Sequence, residues 1–65
     1  MYFNHELFIQ KFKEQQVPMS YLAEVAKVSR TTIWQLLNKE VKNIQIDSLR
    51  RLEMALLIEK GGLLL

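Results

Sequence analysis

Residues 19–38 read MSYLAEVAKVSRTTIWQLLN, and this stretch decides the fold. It holds two short helical patterns separated by about three residues. In the first, over 19–26, Leu22, Ala23, Val25 and Ala26 supply an apolar side. In the second, Ser29 is a residue type that favours the N-cap. Arg30 to Asn38 then carries Ile33, Leu36 and Leu37 as its apolar stripe. Ala23 is small where two crossing helices approach closely, and Val28 is an apolar plug for the angle between them.

Working outward, residues 4–16 place Leu7, Phe8 and Phe12 near one face of an amphipathic helix. Asn4 suits its N-cap. Val17-Pro18 ends it, because the residue before proline is pushed out of helical geometry. Downstream, residues 39–45 are polar and read as a loop, and strand-like alternation is confined to 43–46. A fourth helix is expected over 46–60, with Ile46, Leu49, Leu52, Ala55 and Leu56 inward and Asp47 at the positive end of its dipole. Gly61-Gly62 is the expected stop, leaving residues 61–65 as an apolar tail. The whole reads as one all-α domain over 1–65, a compact bundle of four to five helices.

Sixty-five residues make one domain, near the lower limit for a self-sufficient core. The hydrophobic share of 49% is ample, and with no cysteine there is neither a disulfide framework nor a thiolate metal site. Asn4, His5 and Glu6 interrupt the apolar stretch that a secretory signal would need. No apolar run reaches the roughly 18 residues of a membrane span. The expected location is therefore the cytoplasm, with nucleoid association in a bacterium. Net charge is +2, but it is unevenly spread. Between Lys27 and Arg51, Lys27, Arg30, Lys39, Lys42, Arg50 and Arg51 oppose only Glu40 and Asp47, a local excess of +4; elsewhere three lysines meet five glutamates. Such a basic middle suits a polyanionic partner.

The spacing of Ala23, Val28, Ile33 and Leu36 resembles the repressor/Cro-type (lambda repressor-like, XRE) helix-turn-helix of bacterial and phage regulators. The resemblance covers most of the chain, with Phe8 and Phe12 in the first helix and Leu52, Ala55 and Leu56 in the fourth. There are three departures. Lys27 stands where the family usually has a turn glycine, so a left-handed lysine is expected there. Met19 replaces a glutamine that touches phosphate, so that contact is dropped. Phe12 and Leu37 stand where some members bury an arginine and a glutamate. Both charges have become apolar together, and the two side chains are expected to meet in the core.

The resemblance implies that the third helix enters the major groove by its outward side, N-terminal end first. At about 100° per residue, Arg30, Thr31, Trp34, Gln35 and Asn38 lie opposite Ile33, Leu36 and Leu37. Ser29, Arg30, Thr31 and Gln35 are the expected base readers: Arg30 for guanine O6/N7, Gln35 for adenine N6/N7, and Thr31 for a thymine methyl. Thr32, Asn38, Lys39 and Lys42 are expected at the phosphate backbone. Trp34 reads two ways, as a contact to sugar or thymine methyl or as a half-buried packing residue.

The implied function is a sequence-specific, double-stranded DNA-binding transcriptional regulator on a two-fold operator. The alternative is a protein-interaction or antitoxin-like module on the same helices. One short reading helix spans few base pairs, so a homodimer is expected, with Leu57, Ile58, Leu63, Leu64 and Leu65 as its contact. No cofactor, metal or small-molecule ligand is expected. A lone His5 makes neither a metal set nor a catalytic triad, and no phosphate-binding glycine loop or catalytic carboxylate pair is present, so no enzyme is expected.

Overall fold

Caps and breakers set four helices in chain order: α1 His5–Gln15, α2 Met19–Ala26, α3 Arg30–Leu37 and α4 Ile46–Ala55. The computed structural model describes residues 3–40 and 44–65. Among these, the chain is an all-helical globule with no strand, only an isolated antiparallel bridge between Phe3 and Leu64. The Asn4 side chain accepts the Leu7 amide at 3.2 Å and starts α1. Pro18 occupies the N-cap of α2, where its missing N–H costs nothing. Ser29 caps α3. Ile46, part of the strand-like stretch, opens α4 instead.

All four helices are followed by a left-handed residue that is not glycine: Gln16 (φ 53°), Lys27 (φ 59°), Lys39 (φ 59°) and Leu57 (φ 55°). This conformation costs a residue with a Cβ roughly 1–2 kcal/mol. Lys27 thus adopts the geometry expected of it. After α2, α3 and α4 the amide of the next residue reaches back five positions: Val28 to Ala23 (3.0 Å), Glu40 to Gln35 (2.9 Å) and Ile58 to Glu53 (2.8 Å). Each closes the last turn and satisfies a carbonyl that would otherwise be orphaned.

The last of these stops corrects the expected helix over 46–60. Leu57 ends α4 a full turn before the glycines, and the glycines serve a second reversal. Gly61 has φ +90°, and a Cβ on Gly62 would lie 2.6 Å from Ile58 Cγ2. This reversal sends the chain back into the molecule. Leu63 is fully buried and Leu64 packs half-buried beside Phe3, so residues 61–65 are not a free tail. Leu63 belongs to the chain's own core and is withdrawn as an intermolecular contact. Ile58 and Leu64 likewise pack against that core, while Leu57 and Leu65 remain exposed.

A buried carboxylate holds the return. Glu53 is 2% exposed, and its Oε2 accepts the amides of Gly61 (2.9 Å) and Leu63 (3.1 Å). Its Oε1 accepts from Arg50 at 3.0 Å. The Asn4 amide then donates to the Leu63 carbonyl at 2.7 Å, and the Asn4 side-chain amide donates to the Gly62 carbonyl at 3.3 Å. Gln15 adds a bond from its side-chain amide to the Leu56 carbonyl.

The core lies where α2 meets α4 and α3. Leu22, Ala23 and Ala26 face Leu49, Leu52 and Leu56 on one side and Ile33 and Leu36 on the other, with Phe3, Phe8 and Leu63 closing it. Buried Ser48 donates to the Ala26 carbonyl at 2.9 Å, tying the first turn of α4 to the end of α2. Phe12 and Leu37 flank the core half-buried rather than forming its centre.

Glu53→Ala is expected to cost about 3–5 kcal/mol, because it strands Arg50 and two amides without their buried acceptor. Urea unfolding followed by helix content measures this. A loss below about 1 kcal/mol would show that the carboxylate does not hold the return.

Candidate nucleic-acid interface

The geometry of α3 begins at Ser29. Its Oγ accepts the Thr32 amide at 3.1 Å and lies 3.0 Å from Thr32 Oγ1. Extended backbone at Ser29 (φ −75°, ψ 158°) turns the chain from the α2 stop into the first turn of α3. Three residues separate Ala26 from Arg30, so the α3 entry inherits its direction from Lys27, Val28 and Ser29. Val28 packs half-buried against the core beneath this turn.

With Ile33 and Leu36 fully buried, the opposite arc of α3 faces outward. Arg30, Thr31, Trp34 and Asn38 are exposed on it, and Gln35 lies half-buried at its margin. Trp34 is 50% exposed, flanked by Arg30 and Asn38 about 40° to either side at the helical repeat. Arg30 has no ion-pair partner among the described residues, and the first turn of α3 holds no acidic residue. The positive helix end and the Arg30 guanidinium therefore act together on one small surface.

Other expected contacts are already engaged within the chain. Ser29 and Thr32 are exposed and half-buried respectively, and their hydroxyls serve the α3 cap. The Asn38 side-chain amide donates to the Trp34 carbonyl at 2.8 Å, which leaves its oxygen but not that donor turned outward. The Lys39 ammonium lies 3.9 Å from Glu6 on α1. Both groups are exposed, so solvent weakens that pair. Lys42 lies outside the described residues. Arg50, one of the basic cluster, is held by buried Glu53.

Two features escaped the sequence reading. Glu6 sits beside Lys39 only because α1 packs on α3, and no local pattern announces a pairing across that distance. Met54, 77% exposed, sits next to the α4 stop with Leu57, 82% exposed. Met54 lies off the Leu49–Leu52–Leu56 stripe, so the helical repeat did carry that signal. Among the described residues no cluster of three metal-binding side chains occurs, and no helix is long and apolar enough to cross a membrane.

No protein-family model, curated protein or solved structure matches the chain.

Ser29→Ala is expected to destabilise the fold by about 1 kcal/mol through loss of the α3 cap, and Ser29→Asp to restore most of it. Chemical denaturation of the three proteins checks this. Equal stability of the alanine form would remove the capping role from Ser29.

Proposed function

We propose that the chain is a sequence-specific, double-stranded DNA-binding transcriptional regulator, a repressor/Cro-like helix-turn-helix domain that reads the major groove with α3. The observation that carries this reading is the two-sided character of α3: Ile33 and Leu36 are fully buried, while Arg30, Thr31 and Trp34 stand exposed on the other side. A helix with its side chains is about 10–12 Å across, which fits the width of a major groove. Arg30 carries the bidentate guanine contact and Gln35 the adenine contact; Thr31 supplies a methyl and a hydroxyl. Ser29 shapes the entry more than it reads. Thr32, Asn38, Lys39 and Lys42 serve the backbone, with Lys39 exchanging its Glu6 partner for a phosphate.

Arg30→Ala and Gln35→Ala are each expected to weaken binding to a selected duplex by about 1–3 kcal/mol, with non-specific binding nearly unchanged. Neutralising Lys39 or Lys42 instead weakens every sequence alike and lowers the salt slope by about one counterion. Site selection from random DNA, then titration at several salt concentrations, reads both. Parent-like binding by both Arg30→Ala and Gln35→Ala would dismiss α3 as the reading helix.

The same reading calls for a homodimer on a two-fold operator, since two reading helices must sit about 34 Å apart. With Leu63 inside the core, the contact narrows to the end of α4, where Met54 and Leu57 present adjoining apolar surface, with Leu65 as a further exposed leucine. The same surface is what favours the protein-interaction module as the second reading. Met54→Ser with Leu57→Ser is expected to shift the protein from dimer to monomer in sedimentation over a micromolar range, with helix content kept. A parent protein that stays monomeric and occupies half-sites singly would eliminate the dimer. Absence of salt-sensitive retention on duplex DNA would favour the interaction module.

A further inference from the structure

Trp34 is the one tryptophan of the chain. It stands in the middle of the polar arc of α3 with half of its surface uncovered. Packing within the fold leaves half of it in solvent. The buried side of α3 is filled by Ile33 and Leu36, and Trp34 lies on the opposite arc, outside the buried core. Its neighbours on the arc are polar: Arg30 one turn before, Thr31 beside it and Asn38 one turn after. A large apolar ring in such a setting gains from a partner only where that partner offers apolar surface.

We propose that Trp34 reads the C5-methyl group of a thymine in the major groove, which makes it a specificity-determining residue beside Arg30 and Gln35. This rests on the DNA-binding reading above and adds the chemistry of one position to it. Among base edges in the major groove, the pyrimidine C5-methyl is the apolar feature. Thymine shows that methyl next to the O4 acceptor. An indole shows a complementary pair, an apolar ring with one N–H that only donates. In 5-methylcytosine the same methyl lies next to an amino donor, which faces the indole donor without a partner. The two sources of the methyl are thereby distinguished, and thymine is the one that fits.

The test uses the full chain and its preferred duplex, selected from random DNA. Each thymine is replaced singly by uracil, which removes the methyl and leaves all hydrogen-bonding groups. The parent protein is expected to lose about fourfold in affinity at one thymine or more, the worth of a single buried methyl. Trp34→Ala is expected to show no loss at that same position. A 5-methylcytosine·guanine pair placed there is expected to bind the parent no better than uracil·adenine. Thr31 also offers a methyl contact, so the assignment to Trp34 rests on the variant. Should Trp34→Ala be poorly folded, Trp34→Gln, a good helix former at this exposed position, is read in its place, and a methyl dependence kept in Trp34→Gln overturns the proposal. A parent that binds every uracil-substituted site as tightly as the original overturns the proposal, as does a Trp34→Ala form that keeps the methyl dependence. Full recovery with 5-methylcytosine overturns the assignment to thymine. If affinity depends on Arg30 and Gln35 while the uracil series stays flat, the Trp34 proposal alone falls. If no duplex is selected at all, it falls together with the DNA-binding reading.

Discussion

The fold depends on a carboxylate that has been taken out of water. Glu53 sits on α4 with 2% of its surface exposed, in a position where an unpaired charge would be prohibitive. It is tolerated because three donors converge on it, two of them backbone amides of the returning C-terminal segment. Those amides in turn would be costly to bury without an acceptor. The two requirements solve each other. Once met, Leu63 enters the core, its carbonyl receives the Asn4 amide, and Phe3 is sealed beneath Leu64. A chain this small has little apolar area to spare, and the return adds a leucine and a phenylalanine to its interior.

The candidate reading surface follows from the same packing. α3 is a two-turn helix and would not persist alone in water. It is held because Ile33 and Leu36 are buried where α3 packs on α2 and α1, and α2 is itself tied to α4 by Ser48. The left-handed Lys27 then sets the direction in which α3 leaves the turn. What faces outward is the residue set that the core could not use. Arg30 and Trp34 are exposed for that reason, whatever partner meets them.

How much of this was legible in the sequence varies by element for physical reasons. The bounds of α2 and α3 were readable because Pro18 and Ser29 are local signals that act at their own positions. The outward arc of α3 was readable because helical periodicity requires only neighbours. The end of α4 was not. Leu57 is a poor left-handed residue by local preference, and the burial of Leu63 that follows the stop depends on contacts distant in sequence. The three final leucines looked like an uncovered patch for the same reason: nothing near them in sequence announces Glu53 as their anchor. Likewise Lys39 and Asn38 looked available for phosphates, yet Glu6 and the Trp34 carbonyl engage them through contacts made by the folded chain.

The bond between Asn4 and Leu63 encloses almost the entire chain in one loop. Bringing such distant points together carries a large entropic cost, and that cost must be met before the contact returns anything. The helices can flicker into being early, but the interior cannot close until Leu63 arrives. On a ribosome Leu63 emerges long after Asn4, so the domain stays open until synthesis has passed Leu63. Loosening the Phe3–Asn4 segment also frees Leu63 and Leu64, because each segment covers the other. Asn4 and Leu63 thus act as the two halves of a single clasp.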